Sequence, residues 1–245
     1  YKLPHLRSTV SAGEPLNTQV IDTFKKYFNV QIRDGYGQTE NTLLVGTLMG
    51  MKMKAGSMGK PTPGNKIAII DEDGHPLPVG QVGDIAVHSS APALFKGYLH
   101  EPERTHAAFR GEWYLTGDQA KMDEDGYYWF EGRSDDIIIS SGYTIGPFEV
   151  EDALVKHPAV KECAVVASPD EIRGNIVKAF VILKDSNNEN EVMMEELKDY
   201  VKANTAPYKY PREIEFVKDL PKTTSGKIRR VELRQLEKQR KLSSV

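Results

Sequence analysis

The sequence predicts a mixed α/β protein, with a strand-rich stretch followed by a region where helices and strands alternate. Two observations carry this. Between Gly56 and Gly132, short apolar or alternating runs are punctuated by Gly and Pro, which marks a compact β subdomain. Beyond Arg133, apolar runs of strand length alternate with helical periodicity. At 245 residues, 39% hydrophobic and 27% charged, the composition is that of a globular chain of one or two domains. Either domain is long enough to bury a core.

Each element has a local reason. Asn17 can cap a helix carrying Val20, Ile21, Phe24, Tyr27 and Phe28, an i, i+1, i+4, i+7, i+8 stripe expected to face a core. Lys66–Ile70 reads as a strand closing on a turn at Asp73-Gly74, and Asp84–His88 alternates. Asp125-Gly126, between Lys121-Met122 and Tyr127–Phe130, signals a hairpin. Pro147 suits the first turn of a helix with Val150, Ala153 and Leu154 inward, stopping at His157-Pro158. Strands follow near 160–167 and 176–183. Asn190 caps a helix carrying Met193, Leu197, Tyr200 and Val201, whose Met pair fills core space. An Arg- and Lys-rich helix closes the chain over about 229–241. The change of character places a domain boundary at Arg133–Asp136.

Several classes are disfavoured. Lys plus Arg (32) nearly balances Asp plus Glu (35), so the net charge of -3 argues against nucleic acid as the main partner. No apolar run approaches the ~20 residues of a membrane span. The single cysteine, Cys163, cannot form an intramolecular disulfide, which fits a reducing compartment. Its apolar run marks a strand core, and no His lies near it in sequence to make it a nucleophile. The chain opens at Tyr1-Lys2-Leu3 with no Met and no signal pattern, which reads as truncation rather than processing.

Four polar segments are candidates for chemistry. Gly35-Tyr36-Gly37-Gln38-Thr39-Glu40 reads as a compact loop whose glycines let backbone approach a ligand. Thr39 offers a hydroxyl to phosphate, Glu40 a hard oxygen for Mg²⁺, and Tyr36 a flat face for a base. The third glycine of a dinucleotide fingerprint is absent, and a plain capped loop is the alternative. Asp118, behind Gly117, can accept from both hydroxyls of a ribose, or be a solvated loop residue. Arg133 can reach ribose or phosphate, and Gly142, after an apolar strand and Ser140-Ser141, leaves room for a thin ligand; an ion pair and a turn are the alternatives. Lys227, in the loop Leu220–Lys227, can swing onto a phosphate or carboxylate, or be merely solvated. Pro221 and Ile228 exclude a phosphate-binding loop of the Walker type.

In this order and spacing the segments resemble the adenylate-forming superfamily of acyl-CoA synthetases, peptide-synthetase adenylation domains and luciferases. Ser11–Leu16 resembles its adenine-side loop, Gly35–Glu40 its aromatic/Thr-Glu motif, and Val82–Ile85 through Lys96–Tyr98 its strand motif. Tyr114–Asp118 resembles the ribose motif, Gly132–Asp136 the hinge, and Pro221–Lys227 the C-terminal lysine loop. Within the superfamily the likeness is greatest to the medium-chain acyl-CoA synthetases. It rests on Ser141-Gly142-Tyr143, Ile145–Glu151, Ser168-Pro169-Asp170, Ile172-Arg173-Gly174 and Ala206–Arg212, and the resemblance spans essentially all 245 residues.

The resemblance implies that 1–134 is the end of a large AMP-binding domain with a β-barrel-like part, and 135–245 a complete small α/β domain. It implies an AMP-forming acyl-CoA synthetase using ATP, Mg²⁺ and coenzyme A on an aliphatic carboxylic acid of medium or short chain. Such an enzyme is expected in the cytoplasm, or in the mitochondrial matrix if the source is eukaryotic; the oligomeric state is left open. By the same resemblance Gly13, Glu14, Pro15 and Tyr36 border adenine, Thr39 contacts the α-phosphate, and Glu40 holds Mg²⁺. Asp118 and Arg133 hold the ribose, and Lys227 bridges the attacking carboxylate and the α-phosphate. Asp135 is the hinge, after whose rotation Ser141, Gly142 and Tyr143 line the pantetheine channel. Arg173, Lys202, Tyr210, Pro211 and Arg212 contact coenzyme A. Thr144 departs from the family, which has Arg there. The family's triphosphate loop and most of its acyl pocket precede the matched region, so the chain alone is expected to be inactive. The competing readings are an adenylation domain that loads a carrier-protein thiol, and a non-catalytic AMP- or coenzyme A-binding piece.

Overall fold

The structure, a computed structural model, describes residues 3–224 and 226–242; Tyr1, Lys2 and Ser225 of the lysine loop lie outside the described residues. The chain divides into two compact units, Tyr1–Ser134 and Asp135–Val245.

In the first unit β1 (Thr9–Ala12) leads through α1 (Thr18–Phe28) to β2 (Ile32–Gln38), which pairs parallel with β1. β3 (Thr42–Gly46) continues antiparallel, and β4 (Lys60–Pro61) closes this sheet. Asn17 caps α1 as expected, accepting from the N–H of Gln19 at 2.8 Å, and Asn29 in the left-handed conformation ends it. The buried stripe of α1 is narrower than expected. Ile21 is buried and Phe24 and Phe28 are half-buried, but Val20 and Tyr27 are exposed. Each precedes a packed residue by one position, about 100° around the helix, and so lies on its flank.

The second sheet of this unit takes β5 (Ile67–Ile70), β6 (Gly83–His88), and, after α2 (Pro102–Ala107), β7 (Phe109–Arg110), β8 (Trp113–Met122) and β9 (Tyr128–Arg133). All pairings are antiparallel, β8 is the hub, and the sheet curls into a half-barrel. Asp125-Gly126 turns β8 into β9 with Met122 opposite Tyr128, the expected hairpin. Leu44, Val45, Ile85, Val87, Tyr114, Ala120 and Tyr128 form one core across the two sheets. Burying each such aliphatic side chain contributes about 1.5–3 kcal/mol.

The second unit opens with a hairpin of β10 (Ile138–Ser140) and β11 (Tyr143–Ile145), followed by α3 (Pro147–Val155). Then come β12 (Val160–Asp170), β13 (Gly174–Leu183), α4 (Glu191–Asn204), β14 (Glu213–Phe216) and α5 (Arg230–Leu242). β13 is central, antiparallel to β12 and parallel to β14. Alternate residues of β12 enter opposite cores. Cys163 and Val165 pack with Val150, Leu154, Leu197 and Val201 of α3 and α4, whereas Ala164 and Val166 pack with Leu233 of α5. That two-sided burial explains the continuous apolar run at 163–167. Cys163 is buried as expected, and burial pushes its thiol well above the usual range. Asn190 caps α4, accepting from the N–H of Met193 at 2.9 Å.

The inner face of α5 carries a polar anchor. Glu237, 1% exposed, accepts from Ser168 Oγ at 2.9 Å and Lys178 Nζ at 2.8 Å. Lys178 also pairs with Glu215 at 2.9 Å. Glu151 of α3 takes both the Arg230 guanidinium, at 3.1 and 2.7 Å, and the N–H of Val165 at 2.8 Å. Among the described residues no helix is long and apolar enough to cross a membrane.

Candidate functional site

Asp118 lies within β8 rather than in a loop, and is 6% exposed. The Tyr36 hydroxyl donates to its Oδ2 at 2.6 Å and the Gln38 amide at 3.1 Å. Arg133, its register partner on β9, places Nη1 3.9 Å from Oδ1. Gln38 is fixed in turn by donating to the Thr116 carbonyl at 2.7 Å and accepting from the Tyr114 hydroxyl at 3.1 Å. Burial and the neighbouring Asp118 charge hold the Tyr36 hydroxyl well above its ordinary pKa, so it stays a donor. The Tyr98 hydroxyl donates to Glu40 Oε1 at 3.0 Å, and the Arg104 guanidinium lies 3.9 Å from the Tyr98 ring centre. Burial, reinforced by Glu40, raises the Tyr98 pKa as well.

The segment expected as a loop at 35–40 is strand through Gln38, and only Thr39 and Glu40 belong to the turn that follows. Its second glycine answers to backbone, not to a ligand. A Cβ on Gly37 would lie 1.8 Å from the Thr42 carbonyl oxygen, where the β2–β3 register shifts. Thr39 is exposed and Glu40 half-buried. Gly13, with φ +95°, turns the chain out of β1 just after the pairing of Ala12 with Gly35, and Glu14 is exposed and Pro15 half-buried beyond it. Sequence reasoning missed Asp34. It pairs with Ser11 across β1–β2, and burial lifts its carboxyl pKa to about 6. An acid between Arg33 and Gly35 carries no signal until the strand is known.

In the second unit Ser141 (φ 50°) and Gly142 (φ 81°) form the turn between β10 and β11, not a strand, because both residues are left-handed. The Ser141 N–H donates to the Arg173 carbonyl at 3.1 Å, which joins this turn to the one between β12 and β13. Tyr143 stacks on Tyr208 with centroids 4.4 Å apart. Lys202 Nζ and Arg212 Cζ lie 4.5 and 5.1 Å from the Tyr210 ring centre, Arg212 donates to the Tyr210 hydroxyl at 2.9 Å, and Pro211 is buried. Thr144 is exposed on β11 opposite Ile139. Lys227 is exposed on a loop closed by a Lys222–Ile228 bridge. Its N–H donates to Thr223 Oγ1 at 3.0 Å and its carbonyl accepts from the Thr223 N–H at 2.8 Å. The Asp135 carboxylate accepts from Arg234 of α5 at 3.1 Å, and Asp136 pairs with the same guanidinium.

Two family descriptions match this chain: AMP-binding enzyme over residues 1–99, and AMP-binding enzyme C-terminal domain over residues 149–227. The chain belongs to the AMP-binding enzymes. Among them it is 65% identical over 241 residues to the uncharacterized acyl-CoA ligase YtcI of Bacillus subtilis (strain 168), covering 98% of this chain and 46% of that protein. It is 53% identical to the mitochondrial acyl-coenzyme A synthetase ACSM3 of Rattus norvegicus, covering 97% of this chain and 42% of that protein. The anthranilate CoA ligase AuaEII, solved with anthranoyl-AMP, matches with a TM-score of 0.88 at 39% identity, over 97% of this chain and 45% of that one. A benzoate CoA ligase of Burkholderia xenovorans LB400 matches at 0.82 and 40% identity, over 94% and 45%. The chain thus spans less than half the length of these AMP-binding enzymes.

Proposed function

We propose that this chain is the C-terminal part of an AMP-forming acyl-CoA synthetase of the cytoplasm or mitochondrial matrix, acting on an aliphatic carboxylic acid of short or medium length. The observation that carries the reading is the Asp118 cluster. A buried carboxylate, oriented by the Tyr36 hydroxyl and the Gln38 amide and flanked by Arg133, suits the paired hydroxyls of a ribose. Gly13, Glu14, Pro15 and Tyr36 then border the base, and Thr39 faces the α-phosphate. Glu40, steadied by the Tyr98 hydroxyl beside the exposed Thr39, is a hard-oxygen donor that fits Mg²⁺. The ion, when bound, neutralises phosphate charge.

In the first half-reaction a substrate carboxylate oxygen attacks the α-phosphorus and the bond to pyrophosphate breaks. Lys227 supplies positive charge where it is needed in that transition state. In the second, the thiol sulfur of coenzyme A attacks the acyl carbonyl carbon, the C–O bond to AMP breaks, and the thiol proton passes to solvent. Ser141, Gly142 and Tyr143 line the thiol arm's path. Arg173, Lys202, Tyr210, Pro211 and Arg212 contact coenzyme A, the three basic side chains meeting its nucleotide phosphates. Asp135 is the hinge between the two steps.

The test uses a full-length enzyme carrying this sequence. The unaltered enzyme is expected to form acyl-CoA from free coenzyme A. Lys227→Ala is expected to lower acid-dependent pyrophosphate exchange by roughly 10²–10³, the loss typical of a missing transition-state donor. Thioester formation from supplied acyl-adenylate should change little. Acyl transfer only to a carrier protein, or equal loss of both half-reactions, would overturn the reading.

A further inference from the structure

We infer that Tyr208 is a positioning residue for the thiol step, holding the ring of Tyr143 as a fixed wall of the coenzyme A path. The inference rests on the coenzyme A reading above. Tyr143 sits on a strand of three residues, directly after the two left-handed residues Ser141 and Gly142, and is 52% exposed. A ring in that place has wide rotamer freedom unless a neighbour restricts it. The neighbour is Tyr208, whose ring lies nearly parallel to it, 17° between planes and 4.4 Å between centroids.

Tyr208 is itself well anchored. It belongs to a short 3-10 turn, Pro207–Lys209, where the Lys209 N–H donates to the Ala206 carbonyl at 2.9 Å. The Lys209 side chain is buried and pairs with Glu149 of α3, and the Arg212 N–H returns to the Val177 carbonyl of β13 at 2.9 Å. The turn is therefore pinned on both sides, to a helix and to the central strand. Tyr208 also precedes Tyr210 by two residues, so one short segment joins the Tyr143 wall to the Lys202–Tyr210–Arg212 cluster. An offset aromatic pair of this kind biases a ring toward one rotamer by roughly two- to tenfold. The pantetheine arm, thin and partly apolar, gains from finding that wall already in place.

Steady-state kinetics of the full-length enzyme test this. Tyr208→Ala is expected to raise KM for coenzyme A roughly three- to tenfold, leaving pyrophosphate exchange within twofold and the melting temperature nearly unchanged. Tyr208→Phe, which keeps the stacking face and loses only the hydroxyl, is expected to restore the original KM. An unchanged KM in Tyr208→Ala, while the unaltered enzyme makes acyl-CoA, would overturn the positioning role alone. So would a KM that Phe fails to rescue, or an equal loss of exchange. If the unaltered enzyme does not accept free coenzyme A at all, the functional reading fails and this inference fails with it.

Discussion

Asp34 carries a carboxylate in β2 between two other strands, and its pKa of about 6 against an ordinary 3.8 comes from burial. The sign follows from proton counts. Between about pH 4 and pH 6 the folded chain holds a proton that the unfolded chain has lost, so stability falls as pH rises through that window and stays lower above it. Allowing for partial exposure, the ionised carboxylate costs about 1–2 kcal/mol at pH 7. Asp34→Asn is therefore expected to stabilise the first unit by that amount at pH 7 and by nothing below pH 4. Urea unfolding across this range checks it, and a gain independent of pH would contradict the assignment. Single residues were legible in the sequence where their setting is local: the exposed lysine at 227 and the core thiol at 163. What was not legible is partnership. Tyr36 and Asp118 meet across 82 residues, and only the folded sheets bring them within 2.6 Å.

Elements with local punctuation were read correctly. Asn17, Pro147 and Asn190 start α1, α3 and α4, because a cap or a fixed φ acts on its own turn. Elements defined by distant pairing were not. Gly35–Gln38 has loop-like composition, yet it is strand because β1 and β3 supply its hydrogen-bond partners. In α5 the Arg and Lys residues advertise a solvated helix and hide Glu237, the most deeply buried acid of its unit. Removing that carboxylate leaves Lys178, 7% exposed, with only the more exposed Glu215 and Glu213, and takes away the acceptor of Ser168. Glu237→Ala is accordingly expected to destabilise the second unit by about 2–3 kcal/mol, more than removal of an exposed ion pair. Denaturant titration checks this; a loss under about 1 kcal/mol would show that Glu215 and Glu213 together satisfy the lysine.

At the scale of the whole molecule, the two units each close around cores of their own, and the chain passes between them at Ser134–Asp135. If Asp135 acts through its backbone torsions, proline there should block acyl-CoA formation in the full-length enzyme while sparing pyrophosphate exchange. Asp135→Ala, which loses only the side-chain bond to Arg234, should keep both activities. Equal behaviour of the two variants would assign the residue to α5 anchoring instead. The sequence's change of character near 133–136 hinted at this passage, but the Arg234 contact could not be read there, because α5 lies almost a hundred residues later in the chain. The placement of Cys163 has a practical side. The chain's only sulfhydryl is locked inside the second unit, so a maleimide or disulfide dye reacts only when that unit opens. Labelling rate at Cys163 is thus a built-in clock for the breathing of the unit that holds it, silent about the other unit of this chain.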